Sequence, residues 1–126
     1  MTRTLADAEG IADVIVRIPR TIQATDGVSV YDLVARSGYF EQHEGVSESV
    51  IRKRLSALPE LIGEWLSYSE DKRVGSGWYF RAVTSDLYEV GYYDGATGEQ
   101  SRKTYAAKFE ACAKFIKEEV EDIRSR

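Results

Sequence analysis

Pro59-Glu-Leu-Ile-Gly-Glu-Trp65-Leu-Ser-Tyr68-Ser-Glu-Asp71, then Lys72-Arg-Val-Gly-Ser76, then Gly77-Trp-Tyr-Phe-Arg-Ala-Val83, is the stretch on which the fold turns. Trp78-Tyr-Phe80 is aromatic and reads as a strand, and a strand needs a neighbour. Trp65 to Glu70 can supply it, with residues 71–76 as a polar, glycine-containing hairpin loop. The same residues also fit a helix. Pro59 suits a first helical turn, and Leu61, Ile62, Trp65 and Leu66 share one helical face. The strand reading is preferred because Trp78-Tyr-Phe80 requires pairing, and the helical one stays open.

Upstream, three segments carry helical signals. Thr4 with Asp7 forms an N-cap pair, Leu5, Ala8, Ile11, Ile15 and Ile18 recur at helical spacing, and Pro19 supplies a stop. After the Asp26-Gly27 turn, Ser29 caps a second helix, with Asp32 at the capping-box position and Ser37-Gly38 as its end. Ser47 caps a third, in which Ile51, Leu55 and Leu58 face the core and Ser49, Arg52, Lys53 and Ser56 face away.

Downstream, Leu87 to Tyr93 alternates as a strand with Tyr88, Val90 and Tyr92 on one face. Asp94 to Gly98 is a turn, and Glu99 to Thr104 returns as a second strand. A closing helix then carries one apolar stripe through Tyr105, Phe109, Cys112, Ile116, Val120 and Ile123. That stripe is long for a small core, so its tail is expected to pack on a second copy as a homodimer. The expected architecture is one α+β domain over residues 1–126. A helical part with a hairpin spans 1–83, and a ββα extension spans 84–126.

Bulk properties narrow the function. A chain of 126 residues can bury a core without staples. Its one cysteine, Cys112, rules out an internal disulfide and favours a reducing compartment, so the cytoplasm is expected. No apolar run approaches the ~20 residues of a membrane span, and acids interrupt the first ten residues where a signal peptide needs an apolar stretch. One histidine and one cysteine cannot build a Cys/His zinc cluster. His43 sits in a polar loop and reads as a solvated residue, and Cys112 reads as core filling. Gly75-Ser-Gly77 lacks the spacing of a phosphate-binding loop. Glu118, Glu119, Glu121 and Asp122, interleaved with lysines, read as a solvated helix face. No catalytic group, metal or cofactor is expected, and a binding role is.

Two surfaces are candidates for it. The order of helix, helix and basic-tipped hairpin over roughly residues 4–83 resembles a winged-helix domain. That resemblance implies double-stranded DNA as partner, with Ser49, Arg52, Lys53 and Ser56 toward the major groove and Lys72 and Arg73 on the backbone. Residues 51–81 hold six bases against four acids, although the whole chain is at −4. The second surface is aromatic: Tyr68, Trp78, Tyr79, Phe80, Tyr88, Tyr92 and Tyr93, able to stack bases or anchor another protein. Here the unit Tyr88–Val120 is similar in outline to the arm-type DNA-binding domains of phage-like integrases, which normally have three strands where two are clear in this sequence. The alternative to DNA is a protein–protein interaction module on the same scaffold, which suits the acidic balance.

Overall fold

A computed structural model describes residues 5–71, 76–98 and 100–126. The chain runs α1 (Leu5–Val16), α2 (Ile18–Ala24), α3 (Val30–Arg36), α4 (Tyr39–Gln42), a 3₁₀ turn (His43–Gly45), α5 (Glu48–Ala57) and α6 (Leu61–Asp71). Strands β1 (Gly77–Thr84), β2 (Leu87–Tyr93) and β3 (Gln100–Tyr105) follow, and α7 (Lys108–Arg124) closes the α+β fold.

The caps lie where the sequence puts them. Ser29 Oγ accepts the Asp32 N–H at 3.1 Å, and Ser47 Oγ accepts the Val50 N–H at 3.2 Å. Thr4 falls outside the described residues. Pro19 does not act as a stop: it occupies the first turn of α2, where its missing N–H costs nothing.

Residues 64–70 are helical, which corrects the strand expectation and removes the 64–83 hairpin. The decisive chemistry is Trp65 and Tyr68. Three residues apart, they would point to opposite faces of a strand but share one face of a helix. Their rings meet edge-on at 5.0 Å, and Trp65 Nε1 donates to the Val16 carbonyl at 2.9 Å. Leu61, Ile62 and Trp65 are buried with them.

Trp78-Tyr-Phe80 finds its partner downstream instead. β1 pairs antiparallel with β2, and β2 with β3, in the order β1-β2-β3. The sheet is therefore continuous across the expected boundary at residues 83/84. Phe80 N–H donates to Ser69 Oγ at 2.7 Å, so α6 covers the edge of β1.

α7 lies between the sheet and the helical layer, in contact with α5, β1 and β2. Phe115 stacks on Phe80 at 5.8 Å and meets Trp65 and Tyr68 edge-on. From Cys112 to Ile123 the apolar stripe is buried, so the chain's own core covers the tail expected to hold a second copy. Glu119 departs from the solvated-face expectation. It is 1% exposed and accepts the Tyr68 hydroxyl at 2.8 Å.

Among the described residues, no helix is long and apolar enough to cross a membrane.

Candidate functional site

Helix α5 presents Ser49, Arg52, Lys53 and Ser56 to solvent, as the spacing predicts. Two of its bases, however, are answered within the chain. Lys53 Nζ lies 3.3 Å from Glu9 Oε1, and Arg54 reaches Asp13 at 2.8 Å. Arg52 and Ser49 border an open groove of about 830 Å³ between α5 and α7. Glu44, Glu48, Glu110, Glu118 and Glu121 line that groove against Arg52 and Lys117. Lys72 and Arg73 lie outside the described residues. A phosphate backbone laid along this helix would meet a field of carboxylates.

The same groove holds a tight polar cluster. Tyr39, fully buried, donates its hydroxyl hydrogen to Glu121 and accepts from Lys117 Nζ at 2.7 Å. Lys117 also donates to the His43 carbonyl at 2.9 Å, and Arg124 pairs with Glu121 at 3.0 Å. His43 is thus held by its backbone in a half-buried turn. Burial pushes the Glu121 carboxyl up, but the hydrogen bonds from Arg124 and Tyr39 and the Lys117 charge outweigh it and hold it at about 2. Its ordinary value is 4.5, so its contribution to stability is complete above that pH and disappears as the pH falls toward 2. Glu121→Gln should therefore be less stable than the wild type at pH 7, with the gap closing between pH 5 and pH 2 in urea titrations. A gap independent of pH would contradict this account of the cluster.

The aromatic residues divide by strand parity. Trp78, Phe80, Tyr88, Val90 and Tyr92 face inward, where Trp78 meets Tyr92 at 5.5 Å and Phe80 stacks on Tyr88 at 6.0 Å. Tyr68 belongs to α6 and the core. Tyr79 and Tyr93 remain on the outer face of the sheet.

That outer face is a grid of three cross-strand rows. Arg81, Glu89 and Thr104 form one row, Tyr79, Gly91 and Arg102 the next, and Gly77, Tyr93 and Gln100 the third. Gly91, at the centre, has no side chain, and the Tyr79 ring lies across it. A Cβ built on Gly91 would stand 2.5 Å from Tyr79 Oη and 2.7 Å from its Cζ. The hydroxyl then reaches Glu89 at 2.5 Å and also accepts from the Gln100 side chain. Arg81 adds a two-pronged contact to Glu89, at 3.1 Å and 3.4 Å.

Glu89 is only 3% exposed, yet it sits under a single layer of side chains and not in the core. Hydrogen bonds from Arg81 and Tyr79 keep its carboxyl below the ordinary range, against the opposing pull of burial. Burial and the bond to Glu89 push the Tyr79 hydroxyl up. The network therefore fixes Tyr79 and Arg81 in place while Arg102, Gln100, Thr104 and Tyr93 stand exposed around them. No sequence pattern pointed to Glu89, because its role depends on the register of β1 against β2. Alternation alone could have placed Tyr79 opposite Phe80.

Cys112 is buried and burial pushes its thiol up, so it is held as core filling. Among the described residues, no group of three or more His, Cys, Asp or Glu is placed to hold a metal ion. Compared with protein families, curated proteins and solved structures, the chain matches none.

Proposed function

We propose that the protein is a binding domain for another protein and that the outer face of the β1-β2-β3 sheet is its contact surface. The observation that carries this is the fixed Tyr79–Glu89–Arg81 network around Gly91. Protein interfaces are enriched in tyrosine and arginine at their centres and depleted in lysine and free carboxylates. This face offers Tyr79, Tyr93, Arg81 and Arg102, and its one carboxylate among the described residues, Glu89, is already covered. Side chains held in one geometry lose less entropy on binding. Val83, 41% exposed at the bulge in β1, extends the apolar content beside the grid.

Three strands about 4.8 Å apart and about 20 Å long give roughly 300 Å². A stable interface takes about 800 Å² from each side, so the partner also covers the flanks, including the outer edge of β3.

Duplex DNA is the second reading, favoured by the three-stranded sheet followed by a helix, the outline of the integrase arm-type domains. It would use Arg102 and Arg81 on this same face. The winged-helix reading would need α6 as the helix before the hairpin, and its exposed positions Gly63, Ser67, Glu70 and Asp71 carry no base. On α5, DNA would have to displace the Lys53–Glu9 pair.

A photo-crosslinking residue at Tyr93 separates the two readings in extracts of the source cells. The expected adduct is one discrete band, destroyed by protease, resistant to nuclease and lost when Arg102 is changed to alanine. A nuclease-sensitive adduct would transfer the face to nucleic acid.

A further inference from the structure

Strand β3 is the free edge of the sheet. Among the described residues no strand lies beyond it, and residues 100–104 are exposed. Main-chain groups along a strand turn alternately to its two sides. The Phe80 N–H points away from β2, to Ser69, so Val90 opposite it turns its own groups to Lys103 of β3. The unbroken β2–β3 register then sets the N–H and C=O of Gln100, Arg102 and Thr104 outward. This edge is regular, whereas β1 is bulged between Ala82 and Thr84 and met by α6.

We propose that an extended, acidic segment of the partner protein joins β3 as a fourth strand. This rests on the sheet as contact surface and adds how the partner enters it. Added strands gain affinity from main-chain bonds and specificity from the side chains beside them. Arg102 stands on the outer face and Lys103 on the inner one, and both are exposed. Among the described residues neither has an ion pair, and Lys103 lies over the Tyr105 ring at 5.2 Å. Glu89, near enough to Arg102 for the two charges to interact, is bonded to Arg81 and Tyr79. Opposite charges on neighbouring strands attract and like charges repel. A second copy would set these bases against their own counterparts, so they exclude self-pairing and select acids.

Amide exchange of the whole chain, followed by NMR with the capped peptide Thr-Val-Glu-Glu-Val-Thr, tests this. A peptide with a Kd of about 1 mM, present at about 5 mM, should slow exchange at Arg102 and Thr104 about sixfold, because only the unbound fraction exchanges. Ser101 and Lys103, turned toward β2, should not change. The lysine version, Thr-Val-Lys-Lys-Val-Thr, should bind at least about tenfold more weakly. Thr104→Pro removes one outward N–H, leaves the β2–β3 bonds and should abolish the slowing at Arg102. Should that variant fail to fold, Arg102→Glu combined with Lys103→Glu should reverse the preference between the peptides. Equal binding of the two peptides, or no slowing at Arg102 and Thr104, would each overturn the proposal. So would protection of these amides in the free chain that rises with its own concentration, the mark of a second copy. A Tyr93 crosslink retained beside any of these results ends the added strand alone and leaves the outer face as contact surface.

Discussion

Trp65→Ala should lower the stability of the chain by about 4 kcal/mol, the cost expected for removing a fully buried aromatic side chain. Trp65 is 1% exposed, and its ring meets Tyr68 at 5.0 Å and Phe115 at 6.0 Å. The substitution opens a void beneath α6 and also leaves the Val16 carbonyl without its indole donor. Trp65→Phe keeps much of the packing and loses the hydrogen bond, so it should cost about 1–2 kcal/mol. Urea denaturation measures both. A loss below about 1 kcal/mol for the alanine variant would mean that α6 is not seated on the core through Trp65.

Gly91→Ala should destabilise by about 2–3 kcal/mol, as overpacking does where neighbours cannot move freely. Two obstacles stand in the way of the new methyl group. Tyr79 Oη is 2.5 Å from it, and so is the Ser101 carbonyl oxygen on the neighbouring strand. The ring can swing away, at the expense of its bonds to Glu89 and Gln100. The carbonyl belongs to the β2–β3 pairing and can yield only by distorting the sheet. A double-mutant cycle separates the two. In a Tyr79→Ala background, Gly91→Ala should cost less, by the part due to the ring, but not fall to zero. A cost unchanged by Tyr79→Ala would show that the ring does not lie across Gly91.

Much of this fold is legible in the sequence where a single local signal decides. Ser29 and Ser47 cap their helices because each offers an oxygen to an otherwise unpaired N–H two or three residues on. The stripe from Cys112 to Ile123 marks a core-facing helix because no other period fits it. The stretch 59–71 resists because its apolar residues satisfy two periods at once, and the choice is made by Val16 and Phe115, far away in sequence. The length of the α7 stripe misleads for a related reason. How much core there is to cover it depends on how the other helices pack.

The candidate site was half legible. Aromatic content over residues 78–93 marks the sheet, but only the register shows that Tyr79 and Tyr93 point out while Trp78, Phe80 and Tyr88 point in. Lys53 and Arg54 of α5 look available in sequence because their partners, Glu9 and Asp13, come from another helix more than forty residues earlier. Glu89 and Glu119 look like surface acids. Their hydrogen-bond partners, Tyr79 and Tyr68, are supplied by tertiary structure.

The claim that the outer sheet face is the binding surface is tested most directly by comparing positions in one crosslinking experiment. The photoreactive residue is placed in turn at Tyr93 and Thr104 on the grid and at Arg52 on α5, under identical illumination. The account predicts the same protease-sensitive adduct from Tyr93 and Thr104 and none from Arg52. An adduct from Arg52 alone would contradict it and return the binding surface to helix α5.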